Sequence, residues 1–300
     1  MDNSPKKRRR SYLPIALILL AVFALMWFAA ARVEKMLAAR AAQELAAQQA
    51  AAQEQARLQA EQEAEQQQDH SYLKFPDVPL NTYDRDAYYK VGPFRYYMLQ
   101  DCQAGIDVSS HVGTIDWPTV KAAGADFALI RIGYRGYTEG QIQSDVCFQE
   151  YYSGCRDAGL SAGVYFFSQA VNEAEAEEEA QFVLDALNGA PLDYPVFFDW
   201  EPIEDKARTD AMDDDTLNAC VLAFCKRIEE GGYRAGVYFN QTYGYEKLDL
   251  SALKDYTFWL ADYEIPSGFT YDFAIWQYSD CGTVDGIDLP VDLDLAFIKE

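Results

Sequence analysis

The sequence has few basic residues and lacks the short motifs of several common enzyme classes. Residues 101–300 carry 12 Lys and Arg against 37 Asp and Glu, and such an acidic surface argues against binding nucleic acid. No GxGxxG or GxxxxGK[ST] follows a predicted strand, so neither a dinucleotide nor an NTP site is indicated. The six cysteines form no CxxC pair and no Cys/His spacing typical of zinc. We therefore expect neither a metal nor a cofactor.

Charged residues are absent from residues 12–31, which follow the basic run KKRRR at residues 6–10. Twenty residues of helix extend over ~30 Å, which is enough to cross the hydrocarbon core of a bilayer. The basic run places residues 1–11 in the cytoplasm and the rest of the chain outside. We therefore predict a single-pass protein of the bacterial cell membrane, with a transmembrane helix that contacts lipid. A signal peptide cleaved near residues 29–31, which would leave a secreted protein, is the alternative.

Glycine and proline are absent from residues 32–68, which are rich in Ala, Gln and Glu. Helix propensity is high throughout, so we predict a helical stalk of ~55 Å. Large apolar residues are fewer than a coiled-coil seam needs. Self-association of the stalk is therefore left open, and a disordered spacer is the alternative to a helix.

Residues 69–100 contain prolines, glycines and many tyrosines. We interpret them as an ordered lead-in segment that packs on the following domain.

The cysteines allow disulfides, because their number is even and the chain is predicted to be exported. Cys220 and Cys225 lie five residues apart on a predicted helix, where their Cα atoms are too distant for a bond. Cys102 and Cys281 lie towards the two ends of the C-terminal domain and would meet if that domain closed on itself. The alternative is that several cysteines are free buried thiols.

Short apolar runs alternate with amphipathic helical segments from residue 101 onward. This alternation predicts parallel strand pairing through βαβ units. About eight strands, with few helices after residue 240, predict an α/β fold of the irregular, TIM-like β/α-barrel type with a helix-poor C-terminal third. We assign residues 101–300 to this barrel domain. An open doubly wound sheet is the alternative.

The stretch VFFDWEP places two acids in an apolar run, where an unpartnered carboxylate is costly. Side chains alternate along a strand, so Asp199 and Glu201 point the same way and Trp200 points the opposite way. Two carboxyls in one cavity raise one pKa and leave the other acid ionised, which is the state that glycoside cleavage requires. The alternative is that these acids pair with arginine or cap a helix.

Polar and aromatic residues recur near the C-terminal ends of the predicted strands, where parallel β/α barrels hold their active residues. Aromatic faces suit the apolar faces of sugar rings, so a glycan-binding groove is predicted at this end of the barrel. For each aromatic residue, a place in the core is the alternative. The candidate substrate-binding residues are Arg131, Tyr134, Tyr165, Tyr238, Asp262, Trp276 and Gln277.

The segment GIDVSSHVGTIDWPTVKAAGADFALIRIGYRG at residues 105–136 is followed by GVYFFS, FFDWE, AGVYFN, WLADY and WQYSDCGTVDGIDLPVDLD. This joint pattern covers residues 101–300 and resembles glycoside hydrolase family 25, the Chalaropsis-type lysozymes or N-acetylmuramidases. The resemblance implies an irregular β/α barrel with fewer helices than strands. It also implies hydrolysis, with overall retention, of the β-1,4 bond between N-acetylmuramic acid and N-acetylglucosamine in peptidoglycan.

The catalytic residues of that family can be carried over by position. Its first acid falls on Asp107, its DxE pair on Asp199 and Glu201, and its C-terminal acid on Asp292. The resemblance makes Glu201 the general acid, and Asp199 the group that stabilises the cationic intermediate or orients the substrate's acetamido group. Asp107 and Asp292 would maintain the hydrogen bonds and charge of the pair. Asp294 stands where many relatives carry Asn, so the choice between Asp292 and Asp294 stays open.

The predicted partner is therefore the glycan strand of peptidoglycan. A non-catalytic domain that binds or scaffolds cell-wall glycans on a membrane stalk is the alternative function. Such a domain needs no acid pair, so the presence of Asp199 and Glu201 weighs against it.

Overall fold

The computed structural model describes Arg32 and residues 73–203 and 206–298. The predicted cytoplasmic tail, membrane span and stalk at residues 1–68 lie outside the described residues, apart from Arg32. Within the described part of the chain, no helix is both long enough and apolar enough to cross a membrane. The fold below belongs to the unit Ser71–Glu300.

Eight of the eleven strands in the described residues close into a barrel. The strands are β1 (Tyr88–Val91), β2 (Phe94–Tyr97), β3 (Cys102–Val108), β4 (Phe127–Arg135), β5 (Ile142–Ser144), β6 (Ser161–Phe167), β7 (Val196–Asp199), β8 (Ala235–Asn240), β9 (Thr257–Ala261), β10 (Ile275–Gly282) and β11 (Val291–Phe297).

The barrel order is β3-β4-β6-β7-β8-β9-β10-β11, and pairing of β11 with β3 closes the ring. Strands β3 to β10 of the ring are parallel to one another, whereas β11 is antiparallel to both of its neighbours. The short strand β5 pairs with β4 outside the ring. The predicted α/β barrel is therefore confirmed, and the alternative of an open sheet is wrong.

Helices cover the outside of the barrel, and the two that follow residue 240 are short. In the described residues they are α1 (Trp117–Ala122), α2 (Phe148–Asp157), α3 (Glu173–Leu187), α4 (Asp214–Glu230), α5 (Gln241–Glu246) and α6 (Leu250–Leu253), with a 3-10 turn at Ser110–Val112. Side chains of Asp116, Asn172 and Asp213 accept hydrogen bonds from the first turns of α1, α3 and α4, which fixes where these helices begin. No helix follows α6 within residues 254–298.

The barrel interior is filled by large aromatic side chains that face small residues. Phe127 and Phe197 belong to the interior core, and a Cβ atom added at Gly105 would overlap the ring of Phe127. A Cβ atom at Gly236 would overlap the ring of Phe197 in the same way. Glycine at these positions therefore makes room for the rings that close the barrel beneath its mouth.

The segment before the barrel packs on its outer side. The ring of Tyr83 stacks on Phe297 of β11 with 3.8 Å between ring centroids. Leu80 forms an isolated antiparallel bridge with Tyr271, whose hydroxyl accepts a hydrogen bond from the backbone N–H of Phe75. The hairpin of β1 and β2 completes this layer.

All six cysteines are free thiols, so the predicted bond between Cys102 and Cys281 is wrong. Cys102 lies opposite Phe297 at one end of β11, whereas Gly282, the neighbour of Cys281, lies opposite Val291 at the other end. Six strand residues separate these positions by about 20 Å, far beyond the 7 Å that a disulfide allows between Cα atoms. Closure of the barrel therefore keeps the two thiols at opposite ends.

Candidate active site

Four of the candidate catalytic acids meet at one end of the barrel. Asp107 lies near the C-terminal end of β3, Asp199 ends β7, and Glu201 follows two residues later. Strand β11 runs in the opposite direction, so Asp292 near its N-terminal end pairs directly with Asp107. Barrel closure thus brings together acids that are up to 185 residues apart in the sequence.

Side-chain alternation along β7 turns Asp199 into the barrel interior. Phe197 belongs to the interior core and Phe198 packs outside it, so Asp199 takes the inward direction again. Asp199 is only 6% exposed, and its Oδ1 atom has no hydrogen-bond partner among the described residues. Burial raises the pKa of Asp199 well above its usual range, and the charge of Glu201 raises it further, while Arg131 lowers it.

Glu201 stands at the mouth of the barrel beside a cavity of ≈ 360 Å³, which Tyr238 and Tyr263 also line. Its backbone carbonyl accepts a hydrogen bond from Gln169 Nε2 over 3.1 Å, which fixes the chain just after β7. Burial raises the pKa of Glu201, and the nearby hydroxyl of Tyr238 lowers it. Asp199 and Glu201 therefore form an electrostatically coupled pair, of which Glu201 borders open space.

Gln277 links the remaining acids to two tyrosines. Its Nε2 atom donates to Asp107 over 2.8 Å and to Asp292 over 3.4 Å. Its Oε1 atom accepts from the hydroxyls of Tyr238 and Tyr263, each over 3.1 Å. All four contacts engage the side-chain amide, which is buried. Gln277 therefore orients the groups around the cavity, and its predicted contact with substrate stays a prediction.

Asp292 and Asp294 differ in depth. Asp292 is partly exposed and pairs with Asp107, whereas Asp294 pairs with Gly105 one step deeper and is fully buried. Burial raises the pKa of Asp292 to about 6 and that of Asp294 to about 8. Trp259 Nε1 donates to Asp294 Oδ1 over 2.8 Å, and Oδ2 has no hydrogen-bond partner within the described residues. Of the two, Asp292 is the acid that lies nearer the solvent.

Arg131 points into the barrel mouth but is already paired. Its Nε donates to Asp145 Oδ2 over 2.8 Å, and its Nη2 lies 2.8 Å from the same oxygen and 3.3 Å from the Ser110 hydroxyl. The guanidinium lies 5.2 Å from the ring centroid of Tyr134. Arg131 therefore supplies positive charge near Asp199 from a fixed position.

Two predicted aromatic contacts lie on opposite sides of the barrel wall. Tyr165 faces inward, where its ring meets Trp259 edge-on at 5.7 Å. Trp276 faces outward and is completely buried, with its ring edge-on to Tyr88 at 5.2 Å. The prediction that Trp276 binds substrate is wrong, because alternation along β10 turns Gln277 inward and Trp276 away from the cavity.

Asp262 borders the cavity beside Glu201 but holds its own loop together. One of its oxygens accepts from the backbone N–H of Glu264 over 3.1 Å. The other accepts from the Ser267 hydroxyl over 2.6 Å and from the backbone N–H of Gly268 over 3.2 Å. Both oxygens of Asp262 are thus engaged in shaping the cavity rim, and its predicted contact with substrate stays a prediction.

Sequence reasoning missed Tyr263, Asp145 and Gln169. Tyr263 is half exposed at the rim, and Asp145 fixes Arg131. Gln169 holds the backbone of Glu201 and accepts from the Thr209 hydroxyl over 3.0 Å. All three lie just outside strands, so no alternation in the sequence marks their direction. A polar residue directly after a strand-end motif, as in WLADY, is the signal that could have indicated Tyr263.

Comparisons with known proteins identify the family of the barrel. Residues 106–287, more than half of the chain, match the family described as glycosyl hydrolases family 25. The chain is 28% identical over 191 residues to an autolytic lysozyme of Clostridium acetobutylicum, covering 63% of this chain and 54% of the relative. It is 29% identical over 200 residues to lysozyme M1 of Streptomyces globisporus, covering 63% of this chain and 65% of the relative.

Solved structures share the fold. The modular autolysin LytC of Streptococcus pneumoniae superposes with a TM-score of 0.59 at 23% identity, covering 70% of this chain and 52% of that chain. The spore cortex lytic enzyme SleM of Clostridium perfringens gives a TM-score of 0.55 at 25% identity, covering 65% of this chain and 67% of that chain. The chain thus spans about half the length of the autolytic lysozyme and of LytC.

Proposed function

The chain belongs to glycosyl hydrolase family 25, and from that membership we propose that it hydrolyses the β-1,4 bond between N-acetylmuramic acid and N-acetylglucosamine in peptidoglycan. The observation that carries the proposal is the coupled pair of Asp199 and Glu201 at the barrel mouth, one buried and the other beside a cavity. Glycoside cleavage uses two carboxyls of this kind, one protonated and one charged.

Glu201 is the proposed general acid. It borders the cavity, and burial raises its pKa, so it can hold a proton for the leaving oxygen. Asp199 is the proposed partner that stabilises the cationic intermediate or orients the substrate's acetamido group. Its Oδ1 atom is buried and has no partner within the described residues, so it retains the capacity to accept an N–H group that reaches it. Two adjacent acids in a buried site share a proton as a pair.

Asp107, Asp292 and Gln277 support this pair from across the barrel mouth. Their hydrogen bonds fix the hydroxyl of Tyr238, which in turn contacts Glu201. The charge of Asp292 also raises the pKa of Asp199. In this proposal the three residues maintain the position and protonation of the catalytic pair, and none of them attacks the substrate.

The proposal includes export and anchoring in the bacterial cell membrane. Residues 12–31 are free of charge and follow a basic run, which supports a single membrane span with the barrel outside. Peptidoglycan also lies outside the membrane, so this orientation would bring enzyme and substrate together. Protease added to intact cells should digest the barrel while a tag at the N-terminus stays protected and remains in the membrane fraction. Release of the barrel into the medium would favour signal cleavage.

The activity is tested by release of reducing ends from purified peptidoglycan. Glu201→Gln keeps the shape of the side chain but cannot donate a proton, so we expect a loss of about 10²–10⁴-fold in kcat. Glu229→Gln, an exposed change on α4, is the matched control and should behave as wild type. If Glu201→Gln released reducing ends at the wild-type rate, Glu201 would not be the general acid. Binding of glycan by the wild-type chain without any reducing-end release would favour the non-catalytic alternative.

A further inference from the structure

The hairpin that precedes the barrel places two cations directly opposite each other. Lys90 on β1 and Arg95 on β2 are cross-strand partners, so their side chains leave the same face of the hairpin. Like charges in this position destabilise a sheet. Neither side chain forms an ion pair with any residue that the structure describes. Within residues 73–203 and 206–298, the repulsion between these two cations is therefore unrelieved.

Aromatic contacts fix the hairpin on the barrel wall. Tyr88 and Tyr97, the next pair on the face that carries the cations, pack on each other with ring centroids 5.0 Å apart. The backbone N–H of Arg95 donates to the Tyr278 hydroxyl over 3.0 Å, and its guanidinium lies 5.7 Å from the Tyr278 ring centroid. The cation of Arg95 is thus held in place against β10.

The two cations line a cavity of ≈ 490 Å³ that adjoins the candidate active site. Tyr263 lines this cavity and also the ≈ 360 Å³ cavity beside Glu201. Asp280 is the carboxylate in the lining, so two cations outnumber it. This local excess of positive charge contrasts with the following residues 101–300, which carry 37 acidic and 12 basic residues.

We propose that Lys90 and Arg95 bind a carboxylate of the peptide that peptidoglycan carries, while the glycan strand occupies the neighbouring cavity at Glu201. The inference rests on the proposed function, because it takes peptidoglycan as the substrate. A guanidinium and an ammonium bind carboxylates through charge-assisted hydrogen bonds, and an anion between them removes their repulsion. The hairpin precedes residues 106–287, so it lies outside the region that matches the family.

The test compares two substrates and two double variants of the full chain. The substrates are glycan strands with intact peptides and the same strands after an amidase has removed the peptides. The double variant Lys90→Gln/Arg95→Gln removes the cation pair. The matched control, Arg85→Gln/Lys226→Gln, removes the same charge from two exposed residues that form no ion pair in the described residues.

Loss of the cation pair should raise the KM for peptide-bearing strands by about tenfold, the effect of one charge-assisted contact. The kcat, and the KM for stripped strands, should stay at the wild-type value. The control variant should match the wild type on both substrates. An equal change on the two substrates, or no change on either, would overturn the proposal.

A binding measurement separates this inference from the proposed function. The full chain is titrated calorimetrically with a muramyl peptide that has free carboxylates, and with the same peptide after amidation. We expect binding of the free carboxylate form that weakens about tenfold in Lys90→Gln/Arg95→Gln and not in the control. This result would stand even if the wild type cleaved neither substrate. Equal affinity for the two peptides would refute the carboxylate site while leaving the hydrolase proposal intact.

Discussion

Asp292 on β11 is the direct cross-strand partner of Asp107 on β3, and the side-chain amide of Gln277 donates to both carboxyls. Two facing acids repel when both are ionised. Asp294 adds a third carboxyl one step deeper, and no ion pair to any of the three exists in residues 73–203 and 206–298. Protons and the amide of Gln277 must therefore balance the charge of this cluster.

We expect Gln277→Ala to lower kcat/KM by about tenfold or more, because it removes the donor to Asp107 and the acceptor for Tyr238 and Tyr263. Loss of the amide donor should also raise the pKa of Asp107 further, so the pH profile should move to higher pH. The measurement is kcat/KM for peptidoglycan from acid to neutral pH. Gln141→Ala, at an exposed position, is the control. An unchanged profile in Gln277→Ala would show that the amide has no part in the charge balance.

We expect Asp294 to work in its protonated form, so Asp294→Asn should be active. The Asn amide can accept from Trp259 with its oxygen, and its NH2 group takes the place of Oδ2, where a protonated Asp294 would carry its proton. Because burial raises the pKa of Asp294 to about 8, the wild type should lose activity above that pH while Asp294→Asn retains it.

An infrared difference spectrum of wild type against Asp294→Asn provides a readout that does not depend on activity. The carbonyl band of a protonated carboxyl group should be present at neutral pH and disappear as Asp294 loses its proton. Loss of activity in Asp294→Asn at every pH, together with no protonated band, would show that Asp294 acts as a carboxylate.

The same proton should make stability depend on pH. The pKa of Asp294 is about 8 in the folded chain against an ordinary value of 3.8, so between these values the folded state holds a proton that the unfolded chain has released. The free energy of unfolding therefore falls as pH rises through this window, by about 1.4 kcal/mol for each unit of pKa difference. Calorimetry should show a Tm that falls less steeply in Asp294→Asn than in wild type. Parallel Tm curves would mean that Asp294 has the same affinity for protons in both states.

The barrel could be predicted because its strands alternate with helices and end in polar residues at regular intervals. The reversed direction of β11 was not predicted, because the run VDLDLAF by itself has no mark of orientation. The short connection of eight residues between β10 and β11 was the available signal, because a parallel crossover needs a dozen or more. The disulfide prediction failed for a related reason: residues near the two ends of a domain's sequence can lie at opposite ends of a barrel.

The acid pair could be predicted from alternation, which fixes the direction of side chains along a strand. The same rule should have excluded Trp276, because neighbouring residues such as Gln277 and Trp276 cannot both face inward. Tyr263 and Gln169 follow strand ends, where alternation no longer applies. Their positions depend on loop contacts between distant segments, such as the hydrogen bond from Thr209 to Gln169, that local sequence does not contain.

Gly105→Ala should destabilise the barrel from beneath the acid cluster. A Cβ atom at this position would overlap the Phe127 ring, which is fully buried. We expect a loss of about 1–3 kcal/mol in the free energy of unfolding, as for overpacking in a close-packed core. Chemical denaturation measures it, with Gly136→Ala as control, because a Cβ atom there meets nothing closer than 3.7 Å. Equal stability of the two variants would mean that the ring shifts freely, and that the floor beneath Asp107 and Asp294 is not the rigid support that their hydrogen bonds require.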